Sequence, residues 1–225
     1  MGEIKIDFRF INIEYEIWGI NEYLKILEDS LKYHKEQYPV KVKKQLIKKG
    51  YEVDDPEVDI EFQKVDSIVE DILPRTFRNS FIIILWSFYE SSSKKICNYF
   101  YNETYTGKKI DNMKGNFPKR IQHYINKELD ISVDIDSDQW EKIEKLYSLR
   151  NAFVHGHGQQ KYVNKNEWNK ILEWSKEEKG IDIKHGKILL SPNFIHDMYE
   201  MIKRHLSKLI SKAKNYEINK SNNTS

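Results

Sequence analysis

A chain of 225 residues is long enough to bury one full-sized core with an accessory segment beside it. Its apolar fraction of 39% is lowish and its charged fraction of 32% is high, which suits a soluble helical protein with well-solvated outer faces. A net charge of +2 supplies no field strong enough to draw the whole molecule onto a polyanion, so any nucleic-acid contact has to come from a local patch. The single cysteine, Cys97, excludes an internal disulfide and a zinc framework and fits a reducing cytoplasm. No signal peptide opens the chain, and the longest apolar run, Phe81 to Trp86, is far too short to span a membrane. The expected location is the cytoplasm, with no membrane partner.

In chain order, IKIDFRFINI (residues 4–13) alternates apolar with polar and could open as a short strand. Ile11 to Tyr38 reads as a helix whose apolar stripe is Ile13, Ile17, Ile20, Leu24, Leu27 and Leu31, with Pro39 as its stop. The following VKVKKQLIKKG carries Lys41, Lys43, Lys44, Lys48 and Lys49. Such a run is either the solvated face of a short helix or a phosphate-contacting patch that gives RNA a salt-sensitive, sequence-blind grip. Gly50 to Pro56 breaks the chain, and Glu57 to Leu73 forms another helix ended by Pro74. Residues 1–73 are thus expected to be a helical segment packing on the core.

Pro74 also suits the first turn of the next helix, Arg75 to about Tyr105. Its apolar residues from Phe81 to Tyr89 wrap all the way round, which marks a central, buried helix. Glu90 is the anomaly there, sharing a helical direction with Ile83, Trp86, Cys97 and Tyr101. A carboxylate on an apolar sector needs a partner. Cys97, mid-helix among apolar neighbours, reads as inert. A loop from Thr106 to Asn116 leads to a short helix, Phe117 to Leu129, with Arg120 and His123 on its outer side. Residues 130–138 are an acidic connector, and Ser137 with Asp138 caps the helix that follows.

That helix, WEKIEKLYSLRNAFVHGHG from Trp140 to Gly158, organises the reading. On a wheel of about 100° per residue, Leu149, Phe153, Leu146, Ile143, Val154 and Tyr147 share the core-facing half. Glu141, Glu144, Lys145 and Ser148 fall on the water-facing half. Arg150 lands in the middle of the apolar half, where its permanent charge requires an anion or several acceptors. It is either a structural cation paired with a buried carboxylate or a phosphate grip held in a cleft. Asn151 and His155, four residues apart, stack on one face at its edge. Glycines 156 and 158 stop the helix.

After it come a helix containing NEWNKILEW, then IDIKHGKILL as a small hairpin around Lys184-His185-Gly186-Lys187. Ser191 and Pro192 start the last helix, which runs to about Asn215 with Phe194, Met198, Ile202, Leu206, Leu209 and Ile210 toward the core. The polar end, residues 218–225, reads as a disordered tail.

Arg150-Asn151-Ala152-Phe153-Val154-His155 resembles the Arg-x-x-x-x-His signature of the HEPN superfamily (higher eukaryotes and prokaryotes nucleotide-binding domains), and LRNAFVHG is similar to the flanks seen in HEPN ribonucleases. The resemblance covers roughly Phe77 to Ile210 and leaves the first seventy residues unmatched. It implies an all-α, HEPN-like bundle over residues 74–217 with a small β-hairpin insertion before the last helix. It also implies that Glu90, in SFYES, is the acidic residue that orients Arg150. The activity implied is metal-independent RNA cleavage by a toxin or defence effector, with an antitoxin protein as one further partner.

RNA brings its own nucleophile, the 2′-hydroxyl, so cleavage needs a base, an acid and a cation but no metal or cofactor. His155 suits the proton transfers because imidazole ordinarily titrates near neutrality. Arg150 suits the phosphate because its planar fork matches two oxygens. Asn151 would hold the imidazole or donate to a phosphate oxygen, with Tyr147 and His157 in support. One histidine serving as both base and acid is awkward in a single protomer. HEPN proteins typically pair two motifs in one cleft, so the resemblance implies a homodimer with a composite site whose axis passes near His155. The competing reading is a non-catalytic HEPN-like module that binds RNA or nucleotide or mediates dimerisation. His155 and His157 as a metal pair lack an adjacent acidic ligand.

Overall fold

The computed structural model describes residues 8–52, 55–104, 108–128 and 137–222. The fold is all-α, with one two-stranded hairpin before the last helix. The helices are α1 (Ile11–Lys48), α2 (Pro56–Ser67), α3 (Leu73–Thr104), α4 (Phe117–His123), α5 (Ser137–Gly156), α6 (Lys165–Glu177) and α7 (Pro192–Asn222). Strands β1 (Ile181–Lys184) and β2 (Lys187–Leu190) pair antiparallel, Ile181 opposite Leu190 and Lys184 opposite Lys187. His185 (φ 49°) and Gly186 (φ 68°) make the two-residue turn, both with the positive φ that matches strand twist.

The chain divides into two compact units. The first comprises Met1–Ile20, Ile84–Arg150 and Asp197–Ser225; the second comprises Asn21–Ile83 and Asn151–His196. In the first, Trp86, Tyr89, Phe117, Tyr124, Ile143, Leu146, Ile202 and Leu206 are buried. Tyr199 donates its hydroxyl to the Ile17 carbonyl (3.1 Å) and Lys214 pairs with Glu14 (2.9 Å), which tie α7 to the start of α1. In the second, Arg78 makes a two-pronged bond to Glu28 (2.8 Å to each oxygen) and a third to the Leu190 carbonyl (3.0 Å). That one guanidinium links α1, α3 and β2 with planar, charge-assisted geometry.

Several expected boundaries move. Pro39 does not end α1, which runs on to Lys48 with Pro39 inside. A proline deprives a helix of one hydrogen bond and costs about 3 kcal/mol, and burial of Leu24, Leu27, Leu31 on one side of it and Leu46 on the other offsets that loss. Pro74 sits in the first turn of α3, as expected, but no break precedes it: a wider π-helical stretch, Ile68–Ile72, joins α2 to α3. A second such stretch, Tyr124–Glu128, continues α4. Ser137 is the first residue of α5 rather than its cap, and the connector before it lies outside the described residues. The last helix passes Asn215 and reaches Asn222, taking in most of the polar end; residues 223–225 lie outside the described residues. Of the strand-like opening, residues 4–7 also lie outside them, while residues 9–10 form a turn and residues 11–13 already belong to α1.

Candidate functional site

α5 is more enclosed than its apolar stripe indicates. Ile143, Leu146, Leu149 and Phe153 are buried as their spacing requires, but so are Lys145 and Ser148, which the wheel had placed in water. Lys145 extends its ammonium 2.9 Å from exposed Glu141, so its stem is covered while its charge reaches the surface. Val154, expected in the core, is exposed. Beyond Glu144 the buried arc therefore widens until no residue from Lys145 to Phe153 is exposed, and the side chains of Val154 and His155 emerge in the last turn.

Arg150 is half-buried at the end of the first unit's share of α5. Within that unit, Tyr147, also half-buried, packs its ring 5.1 Å from Trp86. The Trp86 indole Nε1 donates to Glu90 (3.1 Å), and Lys94 Nζ donates to the other carboxylate oxygen (2.9 Å). Burial pushes the Glu90 carboxyl up. The Lys94 hydrogen bond and charge, the Trp86 bond and the positive charge of Arg150 together outweigh burial and hold it below the usual carboxylate range. Glu90 is therefore ionised and under the field of Arg150, while the bonds above come from its own helix.

The second unit's share begins at Asn151, which is half-buried, and holds exposed His155 and His157. The helix end is locked by an unusual turn. His157 (φ 50°) and Gly158 (φ 65°) are both left-handed, and their amides donate back to the Phe153 and Ala152 carbonyls (3.1 and 3.0 Å). A Cβ on Gly158 would sit 3.0 Å from the Phe153 ring. At Gly156 a Cβ would run into the Val163 side chain at 2.5 Å, so the chain folds back tightly over the last turn. The hairpin completes the lock. Ile188 donates to the Gly158 carbonyl (2.9 Å), Gln160 donates to the Gly186 carbonyl (2.8 Å), and Gln159 bridges to Lys187. The insertion thus supports the turn that follows His155.

Lys41, Lys43, Lys44, Lys48 and Lys49 are all exposed; the first four belong to α1 and Lys49 follows its end. Cys97 is buried, and burial pushes its thiol well up, which removes thiolate chemistry. His123 is exposed, and the Arg120 guanidinium lies over the Phe117 ring (5.6 Å). Among the described residues, no group of three His, Cys, Asp or Glu could hold a metal ion. No described helix is long and apolar enough to cross a membrane.

Sequence reasoning passed over His205 in α7. It is wholly buried, with Nδ1 3.1 Å from the Tyr89 hydroxyl and the Trp140 ring edge-on at 5.1 Å. Burial, reinforced by the charge of Lys208, lowers its pKa to about 3, so it stays neutral. The signal was available: His205 lies seven residues after Met198 and three after Ile202, on the buried stripe of α7.

Compared with protein-family models, curated proteins and solved structures, the chain has no match.

Proposed function

We propose that the chain is a metal-independent endoribonuclease of the HEPN type, a cytoplasmic toxin or defence effector acting on RNA. One observation carries the reading: half-buried Arg150 and exposed His155 keep access to solvent at the end of a helix whose stretch from Lys145 to Phe153 has no exposed residue. A purely structural arginine–carboxylate pair would be sealed on all sides. In this mechanism a neutral His155 takes the proton of the 2′-hydroxyl, whose oxygen attacks the adjacent phosphorus. Arg150 neutralises the extra charge on the phosphorane oxygens, and Glu90 keeps the guanidinium aimed. The 5′-oxygen leaves with a proton from an imidazolium, giving a 2′,3′-cyclic phosphate and a 5′-hydroxyl.

Helix geometry supports a site shared between two copies. Residues five apart on an α-helix leave it about 140° apart in direction and about 7.5 Å apart in height. Arg150 and His155 of one chain therefore diverge, and an isologous dimer lets the arginine of one copy meet the histidine of the other. The two histidines then divide the roles of base and acid. A cognate antitoxin would act by covering this helix end.

The test is cleavage of total tRNA and mRNA in EDTA by wild type, His155→Ala and Arg150→Ala. The expected result is loss of cyclic-phosphate products in both variants with fold and assembly intact. Equal background in all three would overturn the enzymatic reading and leave an RNA-binding or dimerising module.

A further inference from the structure

In the second unit, α1 holds a recess of about 470 Å³ lined by its own residues between Tyr33 and Lys48. That volume falls in the range of small-ligand sites. A straight helix is convex on every side, and Pro39 accounts for the departure. At about 100° per residue the lining spans an arc of about 160°, and Pro39 leaves α1 diametrically opposite its middle. The clash of a proline ring with the carbonyl four residues back, here that of Lys35, opens the proline's side of the helix and makes the facing side concave. The lining joins aromatic rings to cations and holds no carboxylate: Tyr33, His34 and Tyr38 lie toward one end, and Lys41, Lys44 and Lys48 toward the other. Gln37 and Gln45 add amides that both donate and accept. Tyr33 is 61% exposed, and the three lysines are exposed as well. Among the described residues none of the three meets a carboxylate, whereas Lys25, Lys35 and Lys64 of the same unit each do. From Ser30 to Lys48, α1 carries six lysines and one carboxylate. That carboxylate, Glu36, leaves the helix about 120° from the middle of the arc. Glu57 and Glu61 of α2 line a neighbouring recess that shares Tyr38 and Gln45, and Glu61 is paired with Lys64.

We propose that this recess binds single-stranded nucleic acid, with bases lying on Tyr33 and Tyr38 and phosphates on Lys41, Lys44 and Lys48. Two requirements select the ligand. Three unpaired ammonium groups spread over about 10.5 Å of helix need anionic oxygens at several points, which a chain of phosphates supplies and one small anion does not. Tyrosine rings beside them need flat partners, and the bases of a single strand offer their faces. A duplex keeps those faces inside its stack, and an acidic peptide supplies the charge alone. Stacking accepts every base, so the recess grips a strand without reading its sequence. Lys32 and Lys43 leave α1 on the far side, about 140–160° from the middle of the arc, and take no part. The binding needs neither Arg150 nor His155 and stands apart from the cleavage reading.

Fluorescence anisotropy of the full chain with short labelled probes tests the recess. The probes are 2′-O-methyl RNA, which lacks the free 2′-hydroxyl and cannot be cleaved by its attack, DNA of the same sequence, and the DNA duplex. A single strand should bind more tightly than the duplex at the same salt, and the tighter of the two single strands names the source. Lys41→Gln/Lys44→Gln should weaken that binding about tenfold or more and flatten the slope of log affinity against log salt by about 1.4, the share of two phosphates. Lys32→Gln/Lys43→Gln changes the net charge equally on the far side and should keep the affinity within about twofold. Tyr33→Leu should weaken binding about fivefold or more with the salt slope unchanged, and Tyr33→Phe should retain it. All five positions are exposed, so unchanged far-UV circular dichroism is expected and checks the fold. No binding of either single strand, equal losses in the two lysine pairs, full affinity in Tyr33→Leu, or equal affinity for the duplex would each overturn the proposal. Failure of the cleavage assay leaves these results unchanged, because the RNA probe is not a substrate.

Discussion

His155 and His205 sit on amphipathic helices in opposite surroundings. His205 lies in the interior of the first unit, bonded to Tyr89, edged by Trp140 and neutral down to a pKa of about 3. His155 stands on the last turn of α5 in the second unit, exposed and followed by a turn that the hairpin braces. The same imidazole is a packing element in one place and a group open to solvent in the other. What differs is the access of water: where neighbours exclude it, the charged form is too costly to appear.

Substituting each histidine should separate the two roles. In the cleavage assay, His155→Ala should lower the rate by about 100-fold or more, the usual worth of a proton-transfer group. Its thermal midpoint should hardly move, because exposed positions rarely change stability by more than about 0.5 kcal/mol. His205→Ala should do the reverse, costing about 2–4 kcal/mol in denaturant unfolding through the cavity and the stranded Tyr89 hydroxyl.

Acid should expose the buried member. Unfolded, His205 titrates near 6.5; folded, at about 3. Between those values the unfolded chain binds the extra proton, so this contribution is fully present above pH 6.5 and falls away toward pH 3. Urea midpoints at pH 7 and pH 4.5 should differ less for Tyr89→Phe/His205→Leu than for wild type, by a few kcal/mol at most. An equal pH dependence would show that His205 does not carry it.

Smaller changes sharpen the description of the helix end. Gly158→Ala should cost about 1–3 kcal/mol in unfolding free energy, since the position has positive φ and little room beside Phe153. Glu90→Gln should have the least effect on stability, about 1 kcal/mol or less, because Lys94 and the carboxylate are partly solvated. If Glu90 orients Arg150, this variant should still slow cleavage several-fold in kcat.

Much of the architecture was legible in periodicity. The stripes of α1 and α7, the hairpin and its turn follow from spacings of 3.6 and 2 and from Gly186, whereas α3, expected to be apolar and buried all round, leaves Ile84 exposed. Pro39 misled as a stop, because a local breaker is decisive only when flanking packing is weak. Buried leucines lie on both sides of it, and before Pro74 a π-helical stretch joins α2 to α3. Lys145 misled because a lysine can bury its stem while its ammonium meets Glu141 at the surface.

By itself, the sequence determined which segments are helical, which faces are apolar, and that Arg150 and His155 share one helix, because these depend on neighbours a few residues apart. Only the tertiary structure decided that α5 is enclosed from Lys145 to Phe153, that Glu90 takes its bonds from Trp86 and Lys94, and that His205 lies in a core. It also decided that Tyr33 and Tyr38 share a recess with Lys41, Lys44 and Lys48. Burial and the pKa shifts that follow from it depend on residues distant in the chain, which no local pattern encodes.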